Sequence, residues 1–354
     1  MMKRNRAYFY GCLMGGAIGD ALGVPIEFMK YHQIVSQYGD KGVCDLTFPS
    51  YQRYALISDD TQLTMFTVEG LLRSATRAKR KNKERTLEGV TLTLFRAYLR
   101  WLHTQGLNTA HWNKKDYDGW LIKITRLHAY REPGVTCLTS LGKGVMGTIE
   151  KPINDSKGTG ALMRVAPIGL IEKEDRAFEI GMRSAAITHG HPCAYLSAGA
   201  MAQMIYYIME GKELEEAIKL GINTLKGYPN SEEVVVSLEQ AVVLARKEEK
   251  GHEVIEMLGT GFLAHEALAI GIYAALCYPT DYKKAVLLSI NHSGDSDSTG
   301  AITGSLLGAY LGESCLPEEW TQGVELNQEI KQLALDLEIF YQDDEAWLQK
   351  YPSW

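Results

Sequence analysis

Residues 291–312 read NHSGDSDSTGAITGSLLGAYLG, and this stretch decides the fold. Glycine recurs at every fourth position, at Gly300, Gly304, Gly308 and Gly312, which places the four glycines along one side of a helix. Glycine costs about 0.5–1 kcal/mol relative to alanine inside a helix, so the stripe needs a compensating contact. The pattern predicts close backbone-to-backbone packing at the centre of the fold.

The same spacing occurs once more near the N-terminus. That stripe consists of Gly11, Gly15, Gly19 and Gly23. This N-terminal stripe leads into Glu27, whereas the stripe that starts at Gly300 follows directly after a pair of aspartates. Both glycine helices therefore end or begin beside candidate chemical groups.

Helical spacing recurs along the rest of the chain, whereas two-residue alternation is scarce, so the predicted class is all-α. One helix is expected after Ser231 as N-cap, with Gly251 as its C-terminal glycine. No low-complexity linker divides the chain, which predicts a single domain over residues 1–354. The other predicted helices cover about 61–76, 87–103, 175–188, 194–210, 263–277, 281–291 and 322–341.

Composition excludes several classes of partner. The 354 residues are 45% hydrophobic and carry a formal charge of -6, so no overall positive field attracts nucleic acid or anionic lipid. The basic residues of the run 77–85 favour a solvated loop over a docking patch, because no aromatic residue interrupts them. The apolar run after the basic N-terminus imitates a signal peptide but meets Asp20, and no segment is expected to span a membrane.

The six cysteines lie far apart, without a C-x-x-C pair or a histidine at zinc spacing. They are expected to be free thiols in a reducing cytoplasm, and no softer metal site is expected from cysteine and histidine. The chain is expected to be a monomer.

Two acidic clusters carry the chemistry. They are Ser58-Asp59-Asp60-Thr61 and Asp295-Ser296-Asp297-Ser298, each directly before or at the start of a predicted helix. Either cluster alone is more typical of helix capping. One cap uses one side chain, however, and the surplus carboxylates flank apolar helices where unpaired charge is costly to bury. Hard oxygen donors favour Mg²⁺, Mn²⁺ or Ca²⁺, and four aspartates would balance two divalent ions.

Three further groups are candidates for the same site. Glu27 is the leading carboxylate for proton transfer or for metal ligation. The segment Ser156, Lys157, Gly158, Thr159 and Gly160 precedes an apolar helix whose first N–H groups could hold a phosphate. His189 and His191 occur together at the start of another helix, where structural and functional roles are equally plausible.

The chain resembles the ADP-ribosylglycohydrolase family. The resemblance rests on GGAIGDALGVPIEF, ISDDTQLTMFT, SKGTGALMRVAPIGL, ITHGHPCAY and NHSGDSDSTGAITGSLLGAYLG, which occur in the family's order. It implies a compact orthogonal bundle of many helices and a centre of two Mg²⁺ or Mn²⁺ ions that binds ADP-ribose. The implied metal ligands are Ser58, Asp59, Asp60, Asp295, Asp297 and Ser298, with Glu27, Asp59 and Asp60 as catalytic carboxylates.

The resemblance also implies that residues 156–160 meet the diphosphate and that His189 lies near the ribose or phosphate. The family often has threonine at the positions of Ser58 and Ser298, and the hydroxyl of either residue type can be a metal ligand. The chain also differs from many family members at Thr159, Phe262 and His265, so the resemblance gives less support to substrate contacts at these positions.

The sequence thus predicts a metal-dependent hydrolase that releases ADP-ribose from a modified acceptor, with protein arginine as the first candidate. A mechanism through an oxocarbenium-like transition state, with water activated beside the metals, fits these residues. Two alternatives remain open: a catalytically silent ADP-ribose-binding or structural member of the family, and a metal-dependent phosphohydrolase. The expected partners are ADP-ribosylated proteins or small molecules, not nucleic acid or membrane.

Overall fold

A computed structural model describes residues 2–109 and 116–353. In these ranges the chain is all-α, as predicted, and its extended pairing is limited to two isolated bridges, Ala55 with Val324 and Gly158 with Leu263. The α-helices are α1 (Arg6–Gly23), α2 (Tyr31–Tyr38), α3 (Asp59–Arg80), α4 (Leu87–Thr104), α5 (Val135–Gly142), α6 (Ala166–Ile171), α7 (Glu174–Ala186), α8 (Pro192–Met209), α9 (Leu214–Leu225), α10 (Glu232–Ala245), α11 (His252–Glu256), α12 (Ala264–Cys277), α13 (Tyr282–Ile290), α14 (Ser296–Leu311), α15 (Glu318–Gly323), α16 (Asn327–Ile339) and α17 (Glu345–Lys350).

Helices α1 and α14 form the centre of the fold, and their glycine stripes face each other. A Cβ atom at Gly19 would lie 2.0 Å from the carbonyl oxygen of Gly300, and one at Gly15 would lie 2.5 Å from that of Gly304. These distances leave no room for any larger side chain. The predicted backbone-to-backbone contact is therefore confirmed, and it explains why glycine is used despite its cost in a helix.

The last position of the first stripe brings the two helix ends together. A Cβ atom at Gly23 would lie 2.3 Å from the backbone nitrogen of Asp297, so the end of α1 abuts the start of α14. The chain then passes through a 3₁₀ turn, Val24–Ile26, to Glu27. This close approach delivers Glu27 to the aspartates at the start of α14.

Two local predictions were wrong. A continuous helix over 322–341 is interrupted, because Leu326 adopts a φ of 61° between α15 and α16. The Glu325 N–H donates instead to the carbonyl of Ala55 at 3.0 Å, a distant partner that local periodicity does not reveal. Gly251 does not end α10, which stops at Ala245; it precedes α11. The side chain of Ser231 stands at the N-cap but makes no capping hydrogen bond.

Two surface predictions also need revision. Residues 77–80 complete the last turns of α3, so only the rest of the basic run 77–85 is a loop. The stretch Arg6–Ile26 is long and apolar enough to cross a membrane by length and composition, contrary to the prediction. In the fold, 83% of its most apolar window is buried, so its apolar side chains contribute to the core.

Candidate active site

One cavity of about 380 Å³ opens where α3 and α14 begin. Its walls come from seven parts of the chain, so it depends on the whole bundle rather than on a local motif. It is lined by Glu27, Phe28, Asp59, Asp60, Glu132, Pro133, Gly134, Val135, Thr136, Cys137, Gly158, Thr159, Gly160, Met163, His189, Phe262, Asp295, Asp297 and Ser298.

The start of α3 presents more carboxylates than capping requires. Ser58 is the N-cap, and its hydroxyl oxygen accepts a hydrogen bond from the backbone N–H of Asp60 at 3.1 Å. Asp59 accepts a hydrogen bond from the N–H of Gly134 at 3.2 Å. Oδ2 of Asp60 is buried and has no hydrogen-bond partner among the described residues. The cap is thus supplied by the serine, which leaves the Asp60 carboxylate available to a ligand.

The start of α14 also presents carboxylates that take no part in capping. Asp295 occupies the N-cap position, but its side chain makes no capping hydrogen bond. Within the described chain, Oδ1 of Asp297 is buried without a partner. Carboxylate oxygens of Glu27, Asp295 and Asp297 lie within 4.8 Å of one another. The Asp295 backbone is fixed by its N–H, which donates to the carbonyl of Thr260 at 2.9 Å.

These carboxylates are not balanced by positive side chains. In the part of the chain that the structure describes, none of the ion pairs includes Glu27 or any of the four aspartates. Burial, followed by the charges of Asp297, Asp59 and Asp20, raises the pKa of Glu27 to about 9. Burial and neighbouring carboxylates also raise the pKa of Asp60 and of Asp295 well above their usual range.

The arrangement fits a hard divalent cation. The donors are oxygens, and two of them have no hydrogen-bond partner among the described residues. The nearest three carboxylates can close around an ion, because trans oxygens of an octahedral Mg²⁺ site lie about 4.2 Å apart. Such an ion would replace the protons that the raised pKa values otherwise favour.

The opposite wall carries His189 and the glycine segment. His189 is buried, and burial together with the charge of Arg164 lowers its pKa to about 3, so the ring is neutral. Nδ1 of His189 lies 2.8 Å from the hydroxyl of Thr188. A Cβ atom at Gly158 would lie 3.3 Å from Nε2 of His189, so a larger residue at this position would crowd that edge of the ring.

A family model described as ADP-ribosylglycohydrolase matches residues 1–346. The chain belongs to this family. It is similar over 92% of its length to ADP-ribosylarginine hydrolase Tri1 of Pseudomonas putida (22% identity, 76% of that protein). It is also similar to the ADP-ribosyl-[dinitrogen reductase] glycohydrolase of Rhodospirillum rubrum (22% identity, 90% of each chain). A solved structure named ADP-ribosylglycohydrolase-related protein complex superposes with a TM-score of 0.61 at 22% identity, over 96% of this chain and 99% of that one, which shows a shared fold.

Most of the residues that suggested an ADP-ribosylglycohydrolase come together in the structure. Those that line the cavity are Glu27, Asp59, Asp60, Asp295, Asp297, Ser298, Gly158, Thr159, Gly160 and His189. Ser58 lies directly behind them as the cap of α3. Lys157 and His191 do not line the cavity: Lys157 pairs with Glu233 at 2.7 Å, and His191 caps α8 by accepting the N–H of Cys193 at 3.0 Å.

In the glycine segment 156–160, Thr159 is hydrogen-bonded to the neighbouring segment 261–262 and is not free to bind a ligand through these groups. The Thr159 N–H donates to the carbonyl of Phe262 at 3.1 Å, and the Thr159 hydroxyl donates to that of Gly261 at 2.5 Å. The hydroxyl of Ser156 accepts the N–H of Gly158 at 3.3 Å and does not line the cavity. The sequence prediction of a phosphate cradle here therefore receives little geometric support from these N–H groups.

Two residues of this family member were missed by sequence reasoning. Asp20 is fully buried in α1, and its carboxylate accepts hydrogen bonds from the backbone N–H of Ser58 at 2.9 Å and of Thr61 at 3.1 Å, which fixes the start of α3. Phe28 stacks on Phe262 at the cavity, with ring centroids 5.7 Å apart. Asp20 was read only as the end of an apolar run, and nothing local marked Phe28.

Proposed function

We propose that this ADP-ribosylglycohydrolase family member removes ADP-ribose from modified arginine side chains of proteins, with two Mg²⁺ or Mn²⁺ ions. The family's activity on ADP-ribosyl groups is the basis for the reaction class. The observation that carries the proposal is a group of buried carboxylates that pair with no positive side chain among the described residues. They line a cavity that also contains a stacked pair of phenylalanines. Arginine is preferred as acceptor because two similar proteins are named for arginine or dinitrogen reductase.

The residues that would hold the cations share oxygen donors at two helix starts. They are Ser58, Asp59, Asp60, Asp295, Asp297 and Ser298. When bound, the cations would polarise ribose hydroxyls and lower the pKa of a water molecule. Asp20 would support this set indirectly, since its carboxylate holds the backbone from Ser58 to Thr61 in place.

The reaction adds water across one glycosidic bond. The water oxygen bonds to the anomeric carbon, the carbon–nitrogen bond breaks, and a proton reaches the departing guanidine nitrogen. Glu27 is placed to carry that proton, because it is half-buried, lines the cavity and sits beside Asp297. Asp59 and Asp60 are the other carboxylates within the cavity that can assist.

The rest of the cavity would orient ADP-ribose. Phe28 and Phe262 are both partly exposed and nearly parallel, at 9° between their planes, and their faces can stack on adenine. The neutral ring of His189 can donate or accept one hydrogen bond to ribose or phosphate without adding charge. The free cysteines support our further proposal that the protein acts in the cytoplasm.

The test compares arginine-linked and serine-linked ADP-ribosyl peptides, with Mg²⁺ or Mn²⁺ and with an Asp297→Ala control. We expect free ADP-ribose from the arginine-linked peptide and loss of the product in the control. Tight ADP-ribose binding without release from either peptide would instead support a catalytically silent binding protein. Release of AMP would support a phosphohydrolase, and both outcomes would contradict the proposal.

A further inference from the structure

Three helix starts converge at a second place in the fold, outside the set of residues that lines the cavity. The second residue of α8 is Cys193, that of α10 is Glu233 and that of α12 is His265. Cys193 Sγ lies 2.8 Å from Nδ1 of His265, and Nε2 of His265 lies 3.8 Å from a carboxylate oxygen of Glu233. Ligand atoms of all three side chains lie within 4.8 Å of one another. The sequence prediction that cysteine and histidine form no metal site did not foresee this cluster, because its members are far apart in sequence.

We propose that Cys193, His265 and Glu233 form a second cation site, distinct from the carboxylate cavity, that binds Zn²⁺ or a divalent ion of similar softness. Sulfur, imidazole and carboxylate are the donor types that zinc prefers, and water would complete a tetrahedron. Zinc bonds of about 2.3 Å to sulfur and about 2.0 Å to nitrogen place these two donors about 3.5 Å apart. One ring nitrogen binds the ion; with Nδ1 as that ligand, the thiol and Nδ1 must separate by less than about 1 Å. The Glu233 carboxylate, now 3.8 Å from Nε2, must move toward the same ion.

Burial and charge suit a cation here. Cys193 and His265 are buried, which excludes most water, whereas the Glu233 side chain is 45% exposed and gives the ion a path from solvent. Glu233 already holds a cation, because both of its oxygens accept hydrogen bonds from the ammonium of Lys157, at 2.8 and 2.7 Å. The Lys157 side chain is 33% exposed and has a long flexible stem, so a metal ion can displace it from Glu233.

The helix starts favour the charged forms of the two acidic ligands. Backbone N–H groups at the first turns of α8 and α10 stabilise negative charge on Cys193 and Glu233. A thiolate and a carboxylate together balance one divalent ion. Binding therefore neutralises the site, with the thiol proton released to solvent.

The cluster is not a preformed nucleophile. Burial, together with the charge of Glu233, raises the pKa of the Cys193 thiol to about 12, so in the absence of metal the thiol is protonated. The remaining alternative is a structural hydrogen bond between thiol and imidazole that binds no metal.

The experiment titrates the full-length, metal-stripped protein with Co²⁺ and follows the thiolate-to-cobalt charge-transfer band. Oxygen ligands do not produce this band, so Co²⁺ bound to the carboxylate cavity does not interfere. We expect the band in the unmodified protein and in Asp297→Ala, with its loss when Zn²⁺ is added. A missing band in the unmodified protein would overturn the proposal.

Matched variants identify the ligands. Cys193→Ser should abolish the band, whereas Cys277→Ser, which changes another buried thiol that lies on α12, should retain it. Glu233→Gln alters an exposed side chain and should leave the fold intact. It should weaken Zn²⁺ binding by at least the roughly 10- to 100-fold that losing an outer-shell partner costs. A band that persists in Cys193→Ser, or unchanged Zn²⁺ affinity in Glu233→Gln, would contradict the three-ligand site.

Discussion

Two groups of buried charges in this protein differ in how the charge is balanced. In the first, Glu69 of α3 is fully buried, and one of its oxygens lies 2.9 Å from Nε of the buried Arg100 on α4. Arg73 approaches the other oxygen at 3.9 Å. The chain supplies both signs of charge, and the result joins two neighbouring helices.

In the second group, Asp60 and Asp297 are just as deeply placed but are surrounded by other carboxylates. Burial raises the pKa of both carboxyl groups, and neighbouring carboxylates raise that of Asp60 further. None of the ion pairs among the described residues includes either group. Taking charge out of water is costly unless it is compensated. A buried charge that its own chain balances thus indicates a structural role, whereas one that is left unbalanced indicates a binding site.

Among the changes that test this contrast, removal of divalent cations should have the largest effect on activity and on melting temperature. We expect chelation to reduce ADP-ribose release to background and to lower the melting temperature, because metal bound only to the folded state stabilises it. Adding Mg²⁺ or Mn²⁺ should restore both. Full turnover and an unchanged melting temperature in a metal-stripped sample, checked by elemental analysis, would remove the basis for the cation centre.

Disruption of the balanced group should damage stability instead. Arg100→Met leaves Glu69 buried with a weaker partner and should cost about 3–5 kcal/mol in the free energy of unfolding. The double variant Glu69→Met/Arg100→Met should recover much of that loss, because Arg73 keeps its ion pair with Asp118 and no unpaired charge remains. Denaturant unfolding measures both. The cation requirement for activity should stay the same, and a changed requirement would show that the two groups are coupled.

Glu27 and Asp297 separate two roles within the unbalanced group. Glu27→Gln keeps the shape but removes a proton acceptor, so kcat should fall by about 100-fold while ADP-ribose binding largely remains. Asp297→Ala should weaken metal binding, ADP-ribose binding and turnover together. Calorimetry with ADP-ribose, run beside turnover assays, distinguishes the variants. A near-normal kcat in Glu27→Gln would show that Asp59, Asp60 or a water molecule carries the proton instead.

The sequence predicted those parts of the site that repeat a local pattern. The glycine stripes indicated the α1–α14 contact, because a period of four residues is sufficient to show a helix face. The paired aspartates exceeded what capping requires, and this surplus predicted the carboxylate cluster in which we propose the cation site. Both inferences use residues close in sequence, where spacing along the chain gives direct information about spacing in the fold.

The missed residues act across long separations. Asp20 supports the start of α3 from 38 residues away, and its surroundings in α1 look like an ordinary apolar helix. Cys193 and His265 are 72 residues apart. The break at Leu326 likewise depends on pairing with Ala55. No local period encodes such contacts, so they follow only from the assembled bundle.

The smallest expected effect is a pH dependence of stability in the metal-free protein. The pKa of Glu27 is raised from 4.5 to about 9, and that of Asp20 from 3.8 to about 7, so the folded state holds protons that the unfolded state releases between these values. Their contribution is complete below the unfolded pKa values and is lost as pH rises through the folded ones. The metal-free protein should therefore melt at a lower temperature at about pH 8.5 than at about pH 5.5.

Asp297→Asn is the matched variant for this effect. It removes one of the charges that raise the pKa of Glu27 and of Asp20, so the metal-free variant should show a shallower decline in melting temperature with pH. Saturating Mg²⁺ should also flatten the decline in the unmodified protein, because the ion binds the deprotonated carboxylates and binds more tightly as pH rises. Thermal melts with and without chelator test both statements. Identical slopes in the variant and the unmodified protein would mean that the carboxylates are compensated in solution in some other way, and the contrast with Glu69 and Arg100 would lose its physical basis.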